Sequence, residues 1–176
     1  MKNLLYLFLA VLLSNSLMGQ TLPTDPETKK VIFQELIPMD GVMKDELYDR
    51  SITWLTETYK TNKFDFNDKA NGKTGTEGYF VVSMTYDFKY KSEHNVSYVV
   101  MINQKDGKYK YSITDFFIYN VKTGPKSIQT LEAAYPKMTT ANKKEFLTQF
   151  NAEVTKIIDD LKAVMSSGKV KDKNDW

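Results

Sequence analysis

The chain has 176 residues, with 24 Lys and Arg against 22 Asp and Glu and a formal net charge of +2. That balance lacks the basic stripe expected of a nucleic-acid binder. The absence of Cys excludes a disulfide scaffold, a thiol nucleophile, a Cys-ligated metal and an acyl anchor on a lipobox cysteine.

In chain order, Lys2 precedes an apolar run at residues 4–13, followed by Ser14, Asn15, Ser16 and then Gly19-Gln20. This is the order of a secretory signal peptide. The run of about ten residues falls short of the roughly 20 that a transmembrane helix needs. Cleavage is expected after Gly19, with Ser16 as the alternative. The mature protein is therefore expected to be periplasmic or secreted, without a membrane span. Residues 21–28 hold two prolines and read as an extended leader.

Residues 30–36 read as a first strand, ended by Pro38-Met39-Asp40-Gly41. A helix is expected over 44–60, where Leu47, Tyr48, Ser51, Ile52, Leu55 and Tyr59 recur at three- and four-residue steps. Asp45 and Glu46 fall in its first turn, where the positive helix end favours them. Residues 64–68 form a short strand candidate, and 67–78, rich in Gly, Asn, Thr and Lys, read as a loop. Phe80, Val82, Met84, Tyr86, Phe88 and Tyr90 then alternate with mostly polar residues, the period of a half-buried strand. Residues 91–95 are expected to turn the chain, and 96–104 to form a central strand. Asp106-Gly107 marks a tight hairpin. The returning strand spans 109–121, with a bulge expected near Asp115. Residues 127–135 hold a helical turn or two before Pro136. The last and strongest helix covers 140–166. Asn142 with Glu145 resembles a capping box, and Gly168 is a suitable stop. The fold class is α+β: an antiparallel sheet of about five strands covered by two helices, in the order β-α-β-β-β-β-α. Residues 29–168 are expected to form a single domain, followed by a charged flexible tail at 169–176.

Several words of this order resemble a family of exported Bacteroidota proteins, the domain-of-unknown-function family 4468. They are the first strand with its Pro38-to-Gly41 turn, the run Lys44-Asp45-Glu46-Leu47-Tyr48-Asp49-Arg50 leading to Trp54-Leu55, and Asp106-Gly107-Lys108-Tyr109-Lys110-Tyr111 followed by Ile113-Thr114-Asp115. The resemblance covers about residues 30–121 and implies a fold like that of the TATA-binding protein. It implies no reaction and no ligand, and a fold name does not carry DNA binding with it.

Candidate chemistry is sparse. His94 is the sole histidine and sits in the polar stretch Lys91-Ser92-Glu93-His94-Asn95, which reads as a surface turn. With no second His and no Cys it lacks partners for a zinc site or a triad. The loop from Asp65 to Gly72 departs from calcium-loop spacing: Lys69 stands at a ligand position, Ala70 replaces the turn Gly and Thr76 the bidentate Glu. Gly72, Gly75 and Gly78 lack the Lys-Ser/Thr pair of a phosphate loop and read as loop flexibility. Asp45, Glu46, Asp49 and Arg50 read as a solvated helix face with local ion pairs. Asp115 stands out as an acid among apolar neighbours, and Tyr109 and Tyr111 belong to aromatic stripes able to form a ligand-facing surface or a core. These three are the ligand-binding candidates; no catalytic residue, metal ligand or cofactor is expected. The function expected is a non-enzymatic envelope or secreted module binding a protein or small ligand through a sheet face or edge. The alternatives are a hydrolase with a carboxylate site built from Asp115 and the helix acids, and a self-assembling structural protein.

Overall fold

A computed structural model describes residues 21–86 and 89–168. The expected signal peptide, the position of Phe88 and the expected tail at 169–176 lie outside the described residues. The principal elements are β1 (Phe33–Pro38), α1 (Lys44–Tyr59), β2 (Phe66–Asp68), β3 (Lys73–Tyr86), β4 (Tyr90–Lys105), β5 (Lys108–Asn120), β6 (Gln129–Thr130) and α2 (Thr140–Ser167), with the expected helical turn present at Leu131–Ala134. The antiparallel sheet runs β1-β5-β4-β3-β2, with β6 pairing the far end of β5. This is an α+β sandwich, with both long helices on one face of the sheet. No helix among the described residues is long and apolar enough to cross a membrane.

Period-two alternation sets the layers. Val82 and Met84 of β3, Val96, Val100 and Ile102 of β4, and Ile113 of β5 are all buried towards the helices. Phe150 of α2 is the hub, with ring centroids 5.0 Å from Phe116, 5.1 Å from Phe146, 5.8 Å from Phe80 and 5.9 Å from Phe33. One helical side chain thus ties together rings from β1, β3 and β5.

The bulge expected near Asp115 is present. Ser97 pairs Phe117 and Val99 pairs Thr114, so Asp115 and Phe116 together face the single residue Tyr98. Asp115 has φ 53°, the left-handed conformation that a bulge of this kind requires. The extra residue resets the alternation: Tyr109, Tyr111 and Ile113 point to the core before it, and Phe116 and Ile118 after it.

Three local readings are corrected. Residues 91–95 are not a turn but part of β4, whose hairpin with β3 closes at the pair Tyr86 and Tyr90. Residues 73–78 are strand, not loop, and the glycines there serve close approach. A Cβ at Gly78 would lie 2.5 Å from the Tyr59 ring and 2.6 Å from that of Tyr98, whose hydroxyls meet at 3.1 Å. The cap of α2 is Thr139, whose Oγ1 accepts the Asn142 N–H at 3.2 Å. Gly168 does end α2, at φ 67°.

Beyond its pairing with β2, the outer edge of β3 is met by side chains. Ser83 N–H donates to Gln149 Oε1 at 2.9 Å, and Gln149 Nε2 donates back to the Ser83 carbonyl at 2.7 Å. Thr85 N–H donates to Glu145 Oε2 at 2.8 Å, and Glu77 N–H to Asp65 Oδ2 at 2.9 Å. At Glu77, Ser83 and Thr85, backbone groups that would otherwise template another strand are satisfied from α2 and the β2 approach.

Candidate functional site

Because both helices pack on one side, the opposite sheet face carries no layer. It presents Leu36 of β1, Phe66 of β2, Tyr79 and Val81 of β3, Val99 of β4 and Phe117 of β5, set among small polar residues such as Ser97, Ser112 and Thr114. Tyr79 is 72% and Leu36 58% exposed, far from the burial such side chains find in a core. At the bulge this face sinks into a shallow hollow of about 230 Å³ bordered by Glu77, Ser97, Val99, Asp115, Phe117 and Ile128.

Of the three ligand-binding candidates, only Asp115 reaches this surface. Its Oδ1 accepts from Lys30 Nζ at 2.5 Å, and that bond raises the Lys30 pKa. Both side chains are substantially exposed, so the pair contributes little to stability. Of the two readings open for Tyr109 and Tyr111, a ligand-facing surface or a core, the structure gives core, which removes them as ligand-binding candidates: both rings are buried on the helix side of the sheet. Burial pushes the Tyr109 hydroxyl up to about 12. Tyr111 Oη donates to Glu35 Oε2 at 3.0 Å, and the same oxygen accepts from Lys162 Nζ at 2.5 Å. Lys162 foremost holds the Glu35 carboxyl below its ordinary range. These groups close the β1 side of the sandwich onto α2.

Nor are the acids of α1 brought to Asp115, since α1 lies across the sheet from the open face. Asp49 accepts from Lys69 at 2.9 Å. Glu46 accepts from Arg50 Nη2 at 2.5 Å. Arg50 itself is not on a solvated face. It is buried, and its Nη1 donates at 2.5 Å to the Met165 carbonyl in the last turn of α2. Asp65 accepts from Thr76 Oγ1 at 3.0 Å as well as from Glu77 N–H, and these bonds lower its pKa. Its carboxylate serves strand pairing.

A second concavity lies where the β3–β4 end of the sheet meets the start of α2. The cleft is about 260 Å³ and is bordered by Met84, His94, Ile118, Lys137, Met138 and Asn142 among others. His94, read as a turn residue, is 8% exposed. Its tautomer follows from its neighbours. Asn120 Oδ1 accepts the N–H groups of Lys122 at 2.9 Å and Thr123 at 3.3 Å, so its amide nitrogen must face the other way. That nitrogen donates to Ser92 Oγ at 2.6 Å and lies 3.5 Å from His94 Nε2. Nε2 is then the unprotonated acceptor, while Nδ1–H donates to the Ser92 carbonyl at 3.2 Å.

Burial lowers the His94 pKa, with the bond to Ser92 opposing in part. The folded protein therefore binds this proton less readily than the unfolded chain, whose histidine titrates at about 6.5. Stability contributed by neutral His94 is complete above about pH 6.5 and declines as pH falls below it. Among the described residues, the groups facing the ring are Tyr86, Asn120 and the Ser92 carbonyl, with Lys137 the one charged side chain lining the cleft. Urea midpoints measured from pH 7 to 5 are therefore expected to fall for the native chain. They are expected to stay flat over the same range for His94→Gln. An equal slope in both would refute the assignment.

Comparison with known proteins follows the fold. Residues 33–119 match the family model described as a domain of unknown function (DUF4468) with TBP-like fold. No curated protein gives a match. A crystal structure of a DUF4468 family protein from Bacteroides ovatus is 14% identical, with a TM-score of 0.65 over 85% of this chain and 92% of that one. A TBP-like protein from Parabacteroides distasonis is 13% identical, with a TM-score of 0.53 over 80% of this chain and 97% of that one. At these identities the likeness speaks to fold, not to role.

Proposed function

The chain belongs to the DUF4468 family of TBP-like fold, and from that premise we propose that it is an exported, non-enzymatic module of the envelope or secreted fraction. It binds a protein partner through the uncovered face of its sheet. The observation that carries this reading is that face itself: Tyr79, Val81 and Phe117 are exposed at adjoining register positions, with Phe66 and Leu36 exposed further along the same layer. Apolar side chains gathered on one face, interspersed with polar ones, are the anatomy of an interaction surface. A near-balanced charge favours a protein over a nucleic acid as the occupant. Export rests on the signal-peptide pattern at residues 1–20.

Two features favour this reading over its rivals. A hydrolase built on Asp115 and the α1 acids needs carboxylates within reach of one substrate, and here the sheet stands between them. Assembly through the β3 edge is opposed by Asp65, Glu145 and Gln149, which occupy its backbone groups. The test is affinity capture from envelope fractions of the native host, with the full chain as bait beside a Tyr79→Ser, Phe117→Ser double variant. A single reproducible partner is expected with the native chain and lost with the variant, whose urea midpoint stays near the native value. No partner, or one retained by the variant, overturns the proposal.

A further inference from the structure

We propose that the cleft between the sheet end and the start of α2 binds a small carboxylate bearing an apolar body and one hydrogen-bond donor. This site is independent of the open sheet face. The first observation is Asn142. It is 4% exposed, its backbone N–H is taken by Thr139, and its side-chain amide borders the cleft with no hydrogen-bond partner among the described residues. What exposure the residue keeps lies on the cleft, where its amide offers both a donor and an acceptor to a ligand.

The second observation is the fixed tautomer of His94. Its Nε2 is an acceptor whose one neighbour, the Asn120 amide at 3.5 Å, sits at the limit of a hydrogen bond. An O–H or N–H on the ligand completes it. The third is charge. Among the described residues, Lys137 is the one charged side chain lining the cleft. The first turn of the 28-residue α2 borders the cleft through Thr139 and Asn142, so the positive end of that helix lies at its rim. An anionic group is favoured beside Lys137 and Asn142. Opposite these, Met84, Ile118 and Met138 supply an apolar wall. At about 260 Å³ the cleft falls just below the range of drug-sized pockets, roughly 300–1,000 Å³, so the ligand is metabolite-sized.

His94 is the sole histidine, so its imidazole proton resonance reports on the cleft without any labelling ambiguity. Mandelate combines a carboxylate, a hydroxyl and an apolar ring, and serves as the probe. Titration of the full chain with mandelate is expected to shift the His94 Hε1 signal saturably, with a Kd in the millimolar range or tighter. Mandelamide, lacking the charge, and phenylacetate, lacking the hydroxyl, are each expected to bind about tenfold more weakly or worse. Asn142→Asp puts a repelling carboxylate at the same volume, in a helix turn that tolerates acids. It and Lys137→Gln are each expected to weaken mandelate by about tenfold. Lys137 is exposed, so its variant tests the site even if the buried substitution fails to fold. A shift that does not saturate, or mandelamide binding as well as mandelate, overturns the proposal. Loss of the open-face partner has no bearing on these readings.

Discussion

Phe150→Ala is expected to lower the unfolding free energy by about 3–5 kcal/mol, the range for truncating a large buried aromatic. The ring is fully buried and touches Phe33, Phe80, Phe116 and Phe146. Three of those partners stand on hydrogen-bonded strands, which cannot move in to fill the space. The cost then contains a cavity contribution as well as lost burial. Phe150→Leu keeps most of the volume and is expected to cost less than half as much. Urea unfolding monitored by Trp54 fluorescence measures both, with m-values unchanged. A loss below about 1 kcal/mol for the alanine variant would mean that the site collapses freely and that the aromatic hub is not the keystone of the core.

Arg50→Met is expected to cost about 2–3 kcal/mol, in the range of hydrogen bonds made by a charged group. The buried guanidinium donates to the Met165 carbonyl where the last-turn carbonyls of α2 concentrate negative potential, and it joins α1 to that helix end. Methionine fills much of the volume but leaves the carbonyl without its donor. Glu46→Gln is the comparison: Glu46 is half-exposed and its bond to Arg50 is an i,i+4 pair, so about 0.5 kcal/mol or less is expected. Arg50→Lys retains the charge without the planar fork and is expected to recover only part of the loss. Equal effects of Arg50→Met and Glu46→Gln in thermal or urea unfolding would relocate the energy from the helix end to the surface pair.

Local signals made much of this fold readable. The spacing of Leu47, Ile52 and Leu55, the Asp106-Gly107 hairpin and the stop at Gly168 each act within a few residues, so periodicity and turn chemistry suffice. Even the bulge was legible, because Asp115 interrupts an apolar alternation. What escaped is what depends on a distant partner. Ser92 and His94 look like a turn by type, yet they continue the inward alternation of β4. Gly75 and Gly78 look like loop residues until Val100 and Tyr98 arrive against them. Arg50 reads as surface charge until the end of α2 is placed beside it. Tyr109 and Tyr111 were legible as a stripe but not as to its side, since the bulge and the single-sided helices together decide which face is covered. The open face has no sequence signature of its own: Ser97, Val99 and Phe117 become a surface only because nothing packs there. The cleft draws on β3, β4, β5 and α2, and only the oddity of a lone histidine pointed towards it.

The hydrogen bonds from Gln149 to Ser83 also have a timetable. The two residues are 66 positions apart, so a ribosome delivers the strand well before the side chain that completes its rim. At synthesis rates of about 5–20 residues per second, the interval is roughly 3–13 s. Hairpins close in microseconds, so β3 and β4 can meet repeatedly within that interval while the outer backbone of β3 still lacks its partners. The nascent chain is thus at its most adhesive once these strands can pair and before its last helix exists.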